Sequence, residues 1–286
     1  MYQLKSLEGI NIEVIHRAFL EAFSDYQVKI DLPLWKLQNM MMRRGYIPEK
    51  SMGAFEDEAL VGFIINGYRE WEGKPTVYDA GTGVVPEHRK QGLTTNMFLK
   101  LVGQLKSEGV RQYLLEVIQK NTSAYELYKK QGFEVTRTFS CFQLDKSKYK
   151  CEKNFTVEHV ECFEPVVWEK IETFWDFKPS WQNSIASVCA AADTFAYSTV
   201  HMDNSIVGYG IVEKRTGDIP QLAVHKDYRK KGIGAAILAD LIKNTESGRV
   251  AFINVDDSAD SMKGFLNTSG FEHYVDQYEM ILEFND

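Results

Sequence analysis

Two stretches of the chain share one layout. "VVPEHRKQGLTTNMFLKLV", Val84 to Val102, runs from an apolar strand-like end through a short basic loop into a helix-like pattern. "LAVHKDYRKKGIGAAILADLI", Leu222 to Ile242, does the same. Arg89 and Arg229 lie 140 positions apart, as do Gly92 and Gly232. The helices that follow keep step: Leu93, Met97, Phe98, Leu101 and Val102 fall on one face, and so do Ile233, Ile237, Leu238, Leu241 and Ile242. Upstream, "ALVGFIINGY" resembles "SIVGYGIVEK"; downstream, "KKQGFEV" resembles "NTSGFEH". A period this long describes two copies of one domain in tandem, not a solenoid.

Each copy reads as α/β. In the first, Ile15, Phe19 and Phe23 place a helix over Ile12 to Phe23. "LPLWKLQNMMMRRG" is a second helix, with Pro33 near its start and Gly45 past its end. "SMGAFED" and "ALVGFIINGY" predict a hairpin around Glu56 to Glu58. "TVYDAGTGVV" is a long strand whose glycines point to a bulge or a close backbone approach. Then come the basic loop, its helix to about Ser107, a strand "QYLLEVI", a short helix from Thr122 to Lys130, and closing strands around "FEVTRTFSCFQL". The charged, poorly periodic "DKSKYKCEKN" puts the boundary between Leu144 and Phe155, giving domains 1–147 and 154–286.

Composition narrows the class. The 286 residues are 44% hydrophobic and 26% charged, enough apolar mass for two cores. A net charge of −7 argues against a general nucleic-acid or membrane-surface binder, though not against a local basic site. No apolar run reaches the length of a membrane span, and the N-terminus lacks a secretory apolar segment, so the expected setting is cytoplasmic. The four cysteines, Cys141, Cys151, Cys162 and Cys189, have no CxxC spacing; free thiols are expected, and no metal site.

A helix N-terminus leaves backbone N–H groups unpaired and carries partial positive charge. A glycine there lets successive N–H groups turn inward as a nest. With Arg89 and Lys90 adding charge, the loop suits phosphate. It is neither GxxxxGK[ST] nor GxGxxG. What remains is R-x-x-G-x-small, as Arg89-Lys90-Gln91-Gly92-Leu93-Thr94 and as Arg229-Lys230-Lys231-Gly232-Ile233-Gly234, each before a Gly-Phe pair.

On these residues the chain resembles a tandem GCN5-related N-acetyltransferase (GNAT). In that family the R/Q-x-x-G-x-G/A loop holds the pyrophosphate of acetyl-CoA. The first copy also carries the downstream pattern in "LLEVIQKNTSAYELYKKQGF": Glu116, Asn121, Ala124, Tyr128, Gly132 and Phe133. It departs at Thr94, where glycine or alanine is usual. The resemblance implies two GNAT-like domains, each a mixed, mostly antiparallel sheet flanked by helices. It implies acetyl-CoA as acetyl donor, held by Val84, Val85, Arg89, Lys90, Gln91, Gly92, Leu93, Thr94, Thr95 and Asn121.

The same resemblance implies acetyl transfer to a primary amine of a small molecule or peptide. Tyr128 would be the general acid that protonates the leaving thiolate, and Glu116 the candidate base. Asp79, on the neighbouring strand, is a rival base. Other roles stay open: a core aromatic for Tyr128, a solvated strand carboxylate for Glu116, a helix cap for Asn121. At the aligned positions the second copy has Asn254, Ala259 and Leu266 in place of Glu116, Asn121 and Tyr128. The first copy is therefore expected to be the catalyst; the second binds CoA without catalysis or serves as a structural partner. Asp25, Tyr26 and Asp31, with Trp71, are candidates to line a cationic acceptor's pocket. No nucleic acid or membrane partner is expected, and homo-oligomerisation is left open. The competing readings are a non-catalytic acyl-CoA-binding or regulatory protein and a structural module that binds a partner's anionic group.

Overall fold

The computed structural model describes residues 1–25, 32–150 and 155–284. The first repeat runs β1 (Gln3–Ser6), α1 (Ile12–Ala22), α2 (Leu34–Arg44), β2 (Met52–Glu56), β3 (Ala59–Trp71), β4 (Lys74–Val84), α3 (Leu93–Ser107), β5 (Gln112–Ile118), α4 (Thr122–Lys130) and β6 (Glu134–Asp145). The second runs β7 (Glu158–Val160), α5 (Pro165–Glu172), α6 (Ile185–Ala190), β8 (Phe195–Met202), β9 (Ser205–Glu213), β10 (Gln221–Val224), α7 (Ile233–Lys243), β11 (Arg249–Asp256), α8 (Asp260–Thr268) and β12 (Glu272–Glu283). The order of elements is the same twice over. Both halves are mixed α/β with mostly antiparallel strands, as the resemblance implies. No helix among the described residues is long and apolar enough to cross a membrane.

The chain divides into two compact units that interleave the repeats. One contains Met1–Glu116, Glu126–Glu134 and the chain from Met280; the other contains Val117–Tyr125 and Val135–Glu279. Thus β6, which closes the first repeat in sequence, belongs to the second unit, and the tail of β12 belongs to the first.

In the first unit the strands follow the order β1-β2-β3-β4-β5, antiparallel except where β4 runs parallel to β5. The Phe284 N–H then bonds the Arg111 carbonyl at 2.8 Å, so the chain's end lies along the start of β5. Local chemistry sets the helices. Asn11 caps α1 by accepting from the Glu13 N–H. Gly45, with φ 75°, ends α2 in the left-handed conformation. The apolar stripe of α3 buries Leu93, Met97, Phe98, Leu101 and Leu105, each burial worth about 1.5–3 kcal/mol. Val102, expected on that stripe, is only half-buried, and Leu105 completes the row one turn on.

One close approach positions the site. A Cβ on Gly67 of β3 would sit 1.9 Å from the Arg44 carbonyl oxygen, so only glycine lets the end of α2 cross the strand here. That crossing brings the Arg44 guanidinium onto β4, where Nη1 donates to the Ala80 carbonyl at 2.7 Å.

In the second unit, β7 to β10 form an antiparallel sheet in the order β10-β9-β8-β7. β6 pairs antiparallel with β11, opposing Phe142 to Phe252 and Leu144 to Val250 in a core shared with Ile237 and Leu241 of α7. An isolated parallel bridge joins Asp218 to Ala251.

Candidate active site

β4 ends the first unit's site on one side. Its parallel ladder with β5 stops at Tyr78 and Leu114, yet β4 continues to Val84. Its register with β3 slips between Asn66–Asp79 and Ile65–Gly81, leaving Ala80 as a bulge. The bulge expected from the glycines is present, one residue before Gly81.

Beyond β4 the chain turns through Pro86–His88 and enters α3. Lys90 has φ 62° and Gly92 φ 72°, two left-handed residues in a three-residue span. Gly92 caps α3 without a side-chain hydrogen bond. Such alternation turns neighbouring N–H groups to one side, at the positive end of a helix dipole. A groove of about 210 Å³ opens there, walled by Val84, His88, Arg89, Lys90, Gly92, Leu93, Thr94, Thr95 and Leu127.

The Arg89 guanidinium is partly exposed and bonded to several acceptors of the fold. Nε donates to Val84 O at 3.0 Å, Nη2 to Ala22 O at 2.7 Å, and Nη1 and Nη2 grip the Asp25 carboxylate at 2.6 and 2.9 Å. The hydrogen bonds from Arg89 hold the Asp25 carboxyl below its ordinary pKa. Asp25, a candidate for the acceptor pocket, is thus a tether for the loop. Trp71, another candidate, is 7% exposed at the end of β3. Tyr26 and Asp31 lie outside the described residues. Val85 is buried and its N–H is spent on Val61 O at 2.9 Å. The Gln91 side chain accepts from Tyr2 Oη at 3.1 Å.

The titratable cluster sits on β4, β5 and α4. Tyr128 Oη donates to Asp79 Oδ2 at 3.1 Å, and its ring meets Phe133 edge-on at 5.6 Å. Asp79 also accepts from Thr82 Oγ1 at 2.8 Å and from the Gly81 N–H at 2.9 Å. Burial pushes its carboxyl up, against these hydrogen bonds and the nearby Arg44 charge. Glu116 accepts from Tyr78 Oη at 3.1 Å. Burial, then the Glu116 charge, drives the Tyr78 phenol well above its usual range. Asn121 belongs to the other unit and takes its capping role on α4, its Oδ1 accepting from the Ala124 N–H at 3.3 Å. Sequence reasoning missed Arg44 and Tyr78; the glycine-rich "DAGTG" beside Tyr78 was the signal for the bulge that assembles them.

The second unit repeats the loop and not the cluster. Lys230 has φ 60° and Gly232 φ 95°. Arg229 donates to Val224 O at 3.0 Å, to Phe174 O at 2.8 Å and to Asp176 at 2.7 Å. This loop borders a larger cavity of about 810 Å³, walled mainly by apolar side chains such as Phe174, Leu222, Phe252, Met262 and Phe265. Leu266 is buried at the position of Tyr128. Asn254, at that of Glu116, donates to Ser180 Oγ at 3.0 Å and accepts from Gln277 Nε2 at 2.9 Å.

Known proteins match this architecture. The profile described as "Acetyltransferase (GNAT) family" matches residues 13–133, and "Acetyltransferase (GNAT) domain" matches 162–280. A tandem GNAT protein from the clavulanic acid biosynthesis pathway superposes with a TM-score of 0.73 at 13% identity, covering 100% of both chains. A putative acetyltransferase from Pyrococcus horikoshii gives 0.72 at 15% identity over 99% of this chain and 90% of its own. At these identities the likeness is one of fold. GCN5-related N-acetyltransferase 6, chloroplastic, of Arabidopsis thaliana is 35% identical over 72 residues. The match spans 25% of this chain and 25% of that relative's length.

Proposed function

The chain belongs to the acetyltransferase (GNAT) family, and we propose that it transfers an acetyl group from acetyl-CoA to a primary amine of a small molecule or peptide, in the first of its sequence repeats, 1–147 and 154–286. The observation that carries this reading is local. Leu127 walls the groove at the Lys90–Gly92 nest, and the next residue, Tyr128, bonds Asp79 of β4 through its hydroxyl. An anion-binding turn and a proton donor thus share one compact unit.

The residues fit the donor. Backbone N–H groups from Lys90 to Thr95, freed by the left-handed turns and the missing cap, would take the pyrophosphate. Arg89 contributes by tying the loop to Val84 and Ala22; Lys90 brings the formal charge. β4 beyond Tyr78 has no ladder to β5, which leaves strand edge to meet an extended arm and to support a developing oxyanion. Acetyl-CoA supplies the activated acyl group. Tyr128 would protonate the departing sulfur, and Glu116 would take the amine's proton directly or through water. The acidic chain, at net charge −7, suits a cationic acceptor.

One observation favours a second reading, a non-catalytic acyl-CoA-binding or regulatory protein: the larger cavity adjoins the second loop, where Tyr128 and Glu116 have no counterparts. Thiol release from acetyl-CoA across a panel of amines, with calorimetry, separates the two. Turnover that Tyr128→Phe abolishes while binding persists supports the enzyme. Binding without turnover for every amine supports the regulatory protein.

A further inference from the structure

The inference rests on the reading of Tyr128 as proton donor. We propose that Asp79 is a positioning residue that acts through Tyr128, storing the proton with which the phenol is refilled.

The bulge at Ala80 turns the Asp79 carboxylate toward α4, where Oδ2 meets Tyr128 Oη at 3.1 Å. Oδ2 also accepts from Thr82 Oγ1, and Oδ1 from the Gly81 N–H, so the carboxyl is held on both oxygens. An ionised Asp79 draws the phenol proton to itself and away from any sulfur beside the ring. A protonated Asp79 reverses the bond: its Oδ2–H donates to Tyr128 Oη, and the phenol O–H is free to turn outward. The protonation state of one carboxyl thus decides whether Tyr128 can act.

The proton inventory closes without another reactant. When the C–S bond breaks, sulfur keeps the electron pair and takes the Tyr128 proton, giving the thiol. Tyr128 Oη takes the Asp79 proton. Asp79 is left as a carboxylate; Glu116 takes the proton lost by the attacking amine and releases it to solvent, and one proton from solvent restores Asp79, so the count is even.

The surroundings favour storage. Arg44 of α2 is the cation near Asp79; its charge opposes protonation. From β5 come Tyr113, whose phenol burial and then the Asp79 charge push well above its usual range, and Glu116, which is bonded to Tyr78. β3 offers the neutral Asn66 in register with Asp79, and α1 offers Phe19 against Gly81. Desolvation outweighs the Arg44 charge and holds the carboxyl above its ordinary value.

The test needs no known acceptor. In protein carrying 13Cζ-labelled tyrosine, the Tyr128 resonance, assigned by its loss in Tyr128→Phe, is expected to step with pH as Asp79 titrates, above its ordinary value. The step should vanish in Asp79→Asn. A Tyr128 signal in the wild-type protein that is flat across that range overturns the proposal, whether or not Asp79→Asn folds. With putrescine, lysine and an alanine-terminated peptide as acceptors, wild-type kcat is expected to fall as pH rises through the Asp79 titration. Asp79→Asn should lower kcat about tenfold to a hundredfold and flatten that fall, with KM for acetyl-CoA within about twofold. If Tyr128→Phe is inactive but Asp79→Asn keeps wild-type kcat and pH profile, the storage role fails alone. If Tyr128→Phe keeps full kcat, the general-acid reading fails and takes this one with it.

Discussion

Arg89 donates from Nε to the Val84 carbonyl at 3.0 Å, closing the basic loop on the end of the strand before it. Arg229 does the same to Val224 at 3.0 Å, so the clamp is built twice. Arg89→Met is expected to cost about 1–3 kcal/mol of stability, because it strips charge-assisted bonds from the Val84 and Ala22 carbonyls. Asp25→Asn should leave the urea midpoint near wild type, because both partners of that ion pair are exposed to solvent and salt. Urea titration of the two variants, side by side, checks the ordering.

Gly92→Ala isolates the nest. A Cβ there would find only Asn96 Nδ2, at 3.8 Å, so its cost is torsional and not steric. At φ 72° that cost is about 1–2 kcal/mol. Relaxing it rotates the N–H groups away from the groove, and acetyl-CoA affinity in calorimetry should fall about tenfold. Unchanged affinity would place the anion elsewhere.

Gly67→Ala probes the crossing that delivers Arg44. The added carbon would lie 1.9 Å from backbone, which no side-chain rotation relieves. A loss of about 1–3 kcal/mol, read as a lower Tm, is expected from the forced separation of α2 and β3.

Asp79 also gives a pH signature in stability. Its folded pKa is raised by burial, so the unfolded chain loses this proton first as pH rises. Between the two values the folded state binds more protons, and stability falls with rising pH. Asp79→Asn removes that contribution. The wild type is therefore expected to lose stability relative to Asp79→Asn as pH climbs from the ordinary aspartate value through the raised one, measured by urea titrations across that range.

Much of the fold could be read from local pattern. Thr122–Lys130 and Gln112–Ile118 form where periodicity placed them, and Gly45 ends its helix as expected. The pairing of closing strands could not be read, because β6 and β12 each show a face to bury and local sequence does not name the edge it meets. The nest was legible because Lys90 and Gly92 are two residues apart. The Tyr128–Asp79 bond was not, because it joins side chains 49 positions apart across a bulge. The tether made by Arg89 was not legible for a related reason: a basic residue beside a phosphate turn suggests charge, while its partners Ala22 and Asp25 lie 67 and 64 positions away.

The most direct measurement pairs acetyl-CoA calorimetry with thiol release for wild type and Tyr128→Phe over the amine panel. The expected result is a Kd within about threefold for the two proteins and a kcat lowered about 10²–10⁴-fold in the variant. Full turnover by Tyr128→Phe, or no acetyl-CoA binding by the wild type, would contradict acetyl transfer in the first repeat.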